Sequence, residues 1–117
     1  MSIQISGRHL EISDATREYV GERARRLFRF FDRIHKVQFV LSKEGVRYSA
    51  EVVVSAPKGV RLVAEASEEG LHASVDKVID RMERQITRFK EKLRNGRREG
   101  ARAQMHRAGG PREAEED

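Results

Sequence analysis

Basic side chains recur along one side of the last periodic segment of the chain, with a spacing that suits phosphate binding. At 100° per residue, five of them fall within an arc of about 80° on the side opposite the apolar residues. They are Lys77, Arg81, Arg84, Arg88 and Lys92, and we call them the basic stripe. The stripe extends over roughly 22 Å at 1.5 Å per residue, which matches several successive phosphates of a nucleic acid.

The acidic side chains of the same segment lie on one flank, apart from the basic stripe. With Val75 as zero, they fall between about 80° and 160° on the projection. They are Asp76, Asp80, Glu83 and Glu91. A helix adapted only for solubility tends to intersperse the two signs of charge. Like charges stand four residues apart along the stripe and repel by roughly a few tenths of a kcal/mol per pair, which is tolerable where a polyanion lies on them.

An earlier predicted helix repeats the basic pattern less regularly. With Val20 at the centre of its apolar face, four arginines lie on the solvent side, beside Glu18 and Glu22. They are Arg25, Arg26, Arg29 and Arg33. Arg17 and Arg23 lie nearer the apolar boundary. Part of this cluster has a structural explanation, because basic residues near the end of a helix interact favourably with its dipole.

The chain as a whole is basic, which favours a polyanionic partner. It has 117 residues, and 24 Lys and Arg against 19 Asp and Glu give a formal net charge of +5. Arginine outnumbers lysine, and the planar guanidinium suits phosphate binding and base stacking. One basic helix face is commonly no more than a solvated surface. Two such helices in a basic chain favour nucleic-acid binding.

The elements that position these side chains follow from the spacing of the apolar residues. Alternating apolar residues and short apolar runs predict strands at 3–5, 37–41, 48–56 and 60–66. Apolar residues that recur every three or four positions predict helices at 14–31 and 71–93. Ser13 is a typical N-cap for the first helix. The segments 43–45 and 57–59 are typical of tight turns. The predicted order is therefore β-α-β-β-β-α.

This order predicts an α+β fold, a two-layer sandwich with a four-stranded mixed sheet and both helices on one face. A helix between the first two strands implies a parallel crossover, and the tight turns imply an antiparallel meander. The last five elements have the order of a double-stranded-RNA-binding domain, which points to structured RNA. The predicted core consists of Ile3, Ile5, Val20, Ala24, Leu27, Phe31, Phe39, Val52, Val54, Leu62, Val75, Ile79, Met82 and Ile86.

Composition limits the chain to one small domain followed by a tail. Apolar residues make up 38% and charged residues 37%, against about 45–50% and about 25% in typical globular chains. We predict a folded domain over residues 1–93 and a flexible charged tail over 94–117, because the tail has too few apolar residues to form a core. The tail is basic at first and acidic over 113–117.

Several classes of function lack the residues that they need. The chain has no cysteine, its four histidines are scattered without metal-ligand spacing, and no glycine-rich phosphate loop occurs. No apolar run approaches the ~20 residues of a membrane span. We therefore expect a cytoplasmic protein that is not an enzyme and that binds no metal, cofactor, small-molecule substrate or membrane.

Three stretches of the sequence carry a family pattern. They are SGRHLEISDA at 6–15, RFFDRI at 29–34, and DRMERQI at 80–86 with KEK at 90–92. Together they resemble the bacterial ribosome hibernation-promoting factors, a family that includes the ribosome-associated inhibitor and is also called the sigma-54 modulation protein family. The resemblance covers about residues 1–93 and implies the same β-α-β-β-β-α fold.

The resemblance also implies a partner and a site. Residues 1–93 would be a ribosome-binding domain that binds rRNA in the tRNA and mRNA channel of the small ribosomal subunit and inhibits translation in stationary phase or stress. The family's basic positions that face rRNA correspond to Arg23, Arg26, Arg29, Arg81, Arg84 and Arg88. The helical projections add Arg33, Lys77 and Lys92 as expected rRNA-binding residues.

The tail bears on the type of family member. Long members carry a further C-terminal domain that pairs ribosomes, for which this chain has no room, so we expect a short form. The shortest members end near the second helix, and a third type has an acidic tail that enters the mRNA path and opposes dimerisation. Residues 113–117 look more like that third type. The expected partners are the small subunit and the intact ribosome, and the free protein is expected to be monomeric.

Two other functions remain open from the sequence. One is a generic structured-RNA-binding module that acts off the ribosome and binds a plain RNA duplex as tightly as it binds ribosomal subunits. The other is a protein-interaction domain that uses the outer face of the sheet. That face is predicted to carry Gln38, Val40, Ser49, Glu51, Val53, Arg61, Val63 and Glu65.

Overall fold

A computed structural model of the chain describes residues 2–99 and contains the six elements in the predicted order. They are β1 (Ser2–Arg8), α1 (Asp14–Phe30), β2 (Lys36–Glu44), β3 (Arg47–Ala56), β4 (Val60–Glu68) and α2 (Leu71–Glu99). The predicted α+β class is confirmed. Each strand is longer than predicted, because its polar end residues continue the ladder although they interrupt the apolar alternation.

The four strands form one mixed sheet in the order β1-β2-β3-β4. β1 runs parallel to β2, with Ile5 opposite Phe39. β2, β3 and β4 form an antiparallel meander. Gly45 and Gly59 have φ values of 63° and 76°, and this left-handed backbone lets the chain reverse in each hairpin. The predicted crossover and meander are both confirmed.

Local hydrogen bonds cap the first helix at both of its ends. The Ser13 side chain accepts a hydrogen bond from the Thr16 N–H at 3.1 Å, so Ser13 is the N-cap that its residue type predicts. The backbone N–H of Phe31 donates to the Leu27 carbonyl at 3.0 Å and closes the last turn. These bonds set the two ends of α1, and its apolar row of Val20, Ala24 and Leu27 is the side that packs into the core.

The core lies between the sheet and the two helices, which cover the same sheet face. Most of the predicted core residues are buried there, including Val20, Phe39 and Ile79. Ile3, Ile5 and Leu62 are only half-buried, because they lie on the edge strands β1 and β4. The prediction missed other buried apolar residues, among them Phe28, Ile34, Val37, Leu41 and Val78.

The second helix is longer than predicted. Its apolar spacing predicts an end at residue 93, whereas the helix continues to Glu99. Arg and Glu are good helix formers, and the single Gly96 costs only about 1 kcal/mol, so the helix extends past its last apolar contact. The rest of the predicted tail, residues 100–117, lies outside the described residues. Over residues 2–99, no helix is both long and apolar enough to span a membrane.

Side chains cover part of the outer edge of β4. The Gln85 amide of α2 donates to the Val63 carbonyl at 2.7 Å, and the Arg81 guanidinium donates to the Glu65 carbonyl at 2.6 Å. Arg47 of β3 donates to the Ser67 carbonyl at 3.0 Å. These three carbonyl oxygens belong to every second residue of β4. The contacts satisfy edge groups, and those from Gln85 and Arg81 also attach α2 to the sheet.

Candidate nucleic-acid interface

The two helices lie side by side, and oppositely charged residues join them. Arg23 Nε of α1 lies 3.0 Å from an Asp76 carboxylate oxygen, and Arg26 Nε lies 2.8 Å from a Glu83 oxygen. Asp80 is a weaker partner of Arg26, at 3.9 Å. The acidic flank of α2 therefore faces α1, and we call this row of contacts the helix seam. The hydrogen bond to Glu83 is the main reason that the pKa of Arg26 is raised.

Aromatic residues strengthen the seam toward the start of both helices. The Tyr19 hydroxyl donates to Asp76, with both carboxylate oxygens within 2.8 Å, and the Arg23 guanidinium lies 3.8 Å from the Tyr19 ring centroid. The His72 ring stacks on Tyr19 at 4.0 Å, and its Nε2 lies 3.2 Å from the Thr16 hydroxyl. Burial first, and then the hydrogen bond to Asp76, raise the pKa of Tyr19. This cluster fixes one helix against the other.

Other predicted arginines point away from the seam. Arg29 and Arg33 are exposed at the end of α1 and in the turn after it, and Arg84 is exposed on the outer face of α2. Over the part of the chain with described side chains, none of the three has a carboxylate within ion-pair distance. Their guanidinium groups keep their donors available to a ligand.

The rest of the basic stripe lies toward β4. Lys77 pairs with Glu68 at 2.9 Å, and Arg81 is half-buried against the β4 backbone. Hydrogen bonding to Lys77, together with its charge, lowers the pKa of Glu68. Arg88 is half-buried and Lys92 is exposed farther along α2. The repulsion along the stripe is thus offset in part by the protein itself, through the Glu68 carboxylate at Lys77 and the Glu65 carbonyl at Arg81.

Two shallow depressions follow the seam. One, of about 390 Å³, is lined mainly by arginines, and we call it the arginine depression. Its lining residues are Glu22, Arg23, Arg25, Arg26 and Arg29. The second, of about 340 Å³, contains an aromatic ring, and we call it the Phe30 depression. Its lining residues are Phe30, Asp80, Glu83, Arg84 and Thr87. Because Arg23 and Arg26 are paired with Asp76 and Glu83, the surplus positive charge of the first depression comes from Arg25 and Arg29.

The predicted site residues lie on the two helices or in the turn after α1, and the structure sorts them into groups. Arg23 and Arg26 are engaged in the seam, Lys77 and Arg81 contact β4, and Arg29, Arg33 and Arg84 point outward. Sequence reasoning missed the seam partners Tyr19 and His72, and it placed Phe30 on a helix without a role. In the described residues there is no cluster of His, Cys, Asp and Glu that could hold a metal ion.

The outer face of the sheet is mostly polar. Its valines are partly covered: Val40 and Val63 are half-buried, and Val53 is 8% exposed. Val53 lies between Gln38 and Val63 in the register, and these neighbours shield it. The face therefore lacks a broad apolar patch of the kind that marks a protein interface.

A two-layer α+β domain with a basic helical surface is the class that the fold and this surface define. The chain belongs to the Sigma 54 modulation protein / S30EA ribosomal protein family, whose model matches residues 3–94. This is a family of non-enzymatic proteins, in agreement with the expectation that the chain is not an enzyme. The resemblance noted from the three sequence stretches is confirmed.

Curated relatives match about four fifths of the chain. The chain is 38% identical over 92 residues to a ribosome hibernation promoting factor of Azotobacter vinelandii, covering 79% of this chain and 85% of the relative. It is 34% identical over 94 residues to the protein of the same name from Escherichia coli K12, covering 80% and 98%.

Solved structures agree with the fold. The N-terminal domain of Protein Y from Thermus thermophilus superposes with a TM-score of 0.68 at 38% identity, covering 76% of this chain and 99% of that one. A ribosomal subunit interface protein from Coxiella burnetii superposes with a TM-score of 0.73 at 23% identity, covering 78% and 99%. The second likeness concerns the fold alone.

Proposed function

We propose that this protein is a ribosome hibernation factor that binds rRNA in the tRNA and mRNA channel of the small ribosomal subunit and inhibits translation in stationary phase or stress. The observation that carries the proposal is the common orientation of the two helices. Arg29 lines the arginine depression and Arg84 lines the Phe30 depression, and the Arg26–Glu83 ion pair joins the two depressions, so both exposed arginines lie along the same helix seam.

The relatives support the ribosomal part of this proposal. Two of them, at 38% and 34% identity, are named ribosome hibernation promoting factors. The proposed chemistry is charge-assisted hydrogen bonding from guanidinium groups to rRNA phosphates. The bound protein would fill the path of tRNA and mRNA, so that inhibition needs occupancy and no chemical step.

The seam arginines have a second role in this proposal. Arg26 donates its Nε–H to Glu83, and its other guanidinium N–H groups stay accessible because the side chain is 47% exposed. Arg23 is more enclosed, at 27%. An arginine held by a carboxylate is already ordered, so it loses less conformational entropy when a phosphate binds its remaining donors. Asp76 and Glu83 thus position these two side chains.

A double charge reversal at the outward arginines tests the proposal. We expect Arg29→Glu with Arg84→Glu to lower affinity for purified small subunits more than about 100-fold, because two charge-assisted contacts worth about 1.5–3 kcal/mol each are lost. Co-sedimentation through sucrose measures this affinity. The matched control is Arg8→Glu with Arg61→Glu, which makes the same charge change on the outer face of the sheet.

The control separates a located site from general attraction by net charge. Equal loss of binding by both double variants would contradict a helical site, and so would full binding by the Arg29 and Arg84 variant. Thermal denaturation of each variant verifies that the fold is intact. A wild-type affinity for a plain RNA duplex that equals its affinity for small subunits would favour the module that acts off the ribosome.

A further inference from the structure

The Phe30 depression contains an exposed aromatic ring that phosphate binding does not explain. Phe30 lies in the last turn of α1 and is 36% exposed. Lys90 of α2 fixes this position, because its Nζ donates to the Phe30 carbonyl at 3.0 Å and lies 5.3 Å from the ring centroid. A phenyl ring held at a basic surface is a typical stacking platform for a nucleic-acid base.

The rim of the depression supplies hydrogen-bond acceptors. Asp80 and Glu83 line it, and their side chains are 64% and 21% exposed. An ionised carboxylate only accepts hydrogen bonds, so it can pair with the exocyclic amine of a base such as cytosine. Uracil presents a carbonyl oxygen at the equivalent position and would be repelled. Arg84 and Lys90 keep the surroundings basic enough for an RNA strand.

The two depressions adjoin through one ion pair. Arg26 lines the arginine depression, Glu83 lines the Phe30 depression, and the two side chains are 2.8 Å apart. A phosphate can therefore lie among the arginines while the base of the same nucleotide reaches the ring. Inside a duplex the faces of a base are covered by its stacked neighbours and its exocyclic amine is used in pairing, so the ligand must be unpaired.

We propose that the Phe30 depression binds one unpaired, amine-bearing base of RNA whose phosphate lies in the arginine depression. The inference rests on the proposed function for its source of RNA, and it deepens that function. Phosphate contacts alone carry no sequence information, whereas this depression reads a base. It therefore gives the helical surface a preference among RNA sites.

Titration of the full chain with small probes tests the inference without a ribosome. The probes are cytidine 5′-monophosphate, uridine 5′-monophosphate and ribose 5-phosphate, and NMR follows the Phe30 ring and the Arg84 Nε–H. We expect the cytidine nucleotide to bind about five- to tenfold more tightly than the uridine nucleotide, from one hydrogen-bonded amine. Ribose 5-phosphate is expected to shift arginine signals and to leave the ring signals in place.

Two variants and one control assign the effect to the depression. Phe30→Leu retains an apolar side chain but removes the ring, so the cytidine nucleotide is expected to bind no better than ribose 5-phosphate. Asp80→Asn, at an exposed side chain, is expected to reduce the preference for cytidine to less than about twofold because it adds a donor. The control Tyr48→Leu removes an aromatic ring of β3 that lies 5.5 Å from Lys43 Nζ, and it should leave binding unchanged.

Definite results would overturn the inference. Equal affinities for the three probes, or unchanged cytidine binding by Phe30→Leu, would show that the depression takes no base. Equal affinities for the two nucleotides would remove the role of the carboxylates. If these results came while the wild-type protein still co-sedimented with small subunits, the base site would fail and the proposed function would stand. Absence of co-sedimentation would count against the proposed function alone.

Discussion

At the scale of single residues, the arginines divide by whether a carboxylate of the same chain holds them. Arg23 and Arg26 have partners on α2 within 3.0 Å and 2.8 Å, whereas Arg29 and Arg84 point outward. Exposed ion pairs contribute little to stability, about 0–1 kcal/mol each. The seam pairs are therefore better understood as devices that set side-chain position. The outward arginines carry the charge that a ligand meets first.

The Lys77–Glu68 pair makes stability depend on pH in a specific direction. Because Lys77 lowers the folded-state pKa of Glu68 from its ordinary value of 4.5, the pair stabilises the fold above that value, and this is lost as the pH falls through the lowered pKa. We expect the difference in unfolding free energy between the wild-type protein and Lys77→Gln to shrink below pH 4.5.

Urea denaturation at a series of pH values measures that difference. Lys58→Gln, in the turn between β3 and β4, is the matched control, because it removes one lysine that makes no ion pair among the residues whose side chains the structure describes. If the difference in unfolding free energy stayed constant down to pH 3, Lys77 would not affect the titration of Glu68. A similar pH-dependent difference for the control would assign the effect to net charge.

At the scale of elements, α2 is a helix with three different sides. Its apolar side packs on the sheet, its acidic flank faces α1, and its basic stripe runs along β4 and the outer surface. Charge segregation therefore serves the packing of the domain on one flank and leaves outward cations on the other. Asp76 is the residue that connects most strongly across the seam, with Tyr19 and Arg23 as partners.

Loss of the Asp76 charge is expected to loosen the packing of α1 on α2. We expect Asp76→Asn to lower the unfolding free energy by about 1 kcal/mol, since a charge-assisted hydrogen bond becomes a neutral one at a half-exposed site. The corresponding fall in melting temperature is about 4–8 °C for a domain of this size. Circular dichroism during heating measures it, with Glu18→Gln on the solvent side of α1 as control. An unchanged melting temperature would argue against the seam as a structural contact.

The order and sidedness of the elements were predictable because they depend on local periodicity. Local periodicity identifies the buried side of an element without knowledge of the element that packs on it. Examples are the alternation at Val52 and Val54 in β3 and the spacing of Val75, Ile79 and Met82 in α2. The seam was not predictable in this way. A helical projection shows that Asp76 and Glu83 share a flank, but the rotation of one helix against another depends on packing across the whole core.

The end of α2 and the exposed position of the Phe30 ring could not be predicted from apolar periodicity. The end of α2 follows helix propensity, whereas the prediction followed apolar spacing. Phe30 is adjacent to Phe31 in the chain, and periodicity cannot tell which of two consecutive rings is enclosed. In the structure Phe31 is 6% exposed and Phe30 is 36% exposed. That Phe30 borders an open depression follows only from the three-dimensional structure, which places Lys90 beside the ring and Arg84 in the same lining.

At the scale of the whole molecule, the two layers present different surfaces. The helical layer carries outward arginines and both depressions, and the sheet layer is mixed and mostly polar. A chain with a net charge of +5 attracts any polyanion, so the location of the charge decides specificity. Salt dependence of binding distinguishes the two contributions, because only cations that contact phosphates release counterions on binding.

We expect neutralisation of the outward arginines to flatten the salt dependence of binding to small subunits. For Arg29→Gln with Arg84→Gln, the slope of log affinity against log salt should be shallower by about 1.4–1.8, which is two contacts at about 0.7–0.9 each. Arg8→Gln with Arg61→Gln should keep the wild-type slope. Sedimentation at five salt concentrations supplies the slopes. A shared slope for all three proteins would mean that Arg29 and Arg84 do not contact phosphate.

The hydrogen bonds from Gln85, Arg81 and Arg47 to alternate carbonyls make the two borders of the sheet unequal. A foreign strand that approaches β4 must displace three donors before it can pair, whereas at β1 the corresponding contact is the longer one from Arg17 to the Ile5 carbonyl, at 3.5 Å. Open-ended stacking of sheets requires two receptive borders in each copy. Two copies joined at β1 would therefore leave only their covered β4 borders for a third.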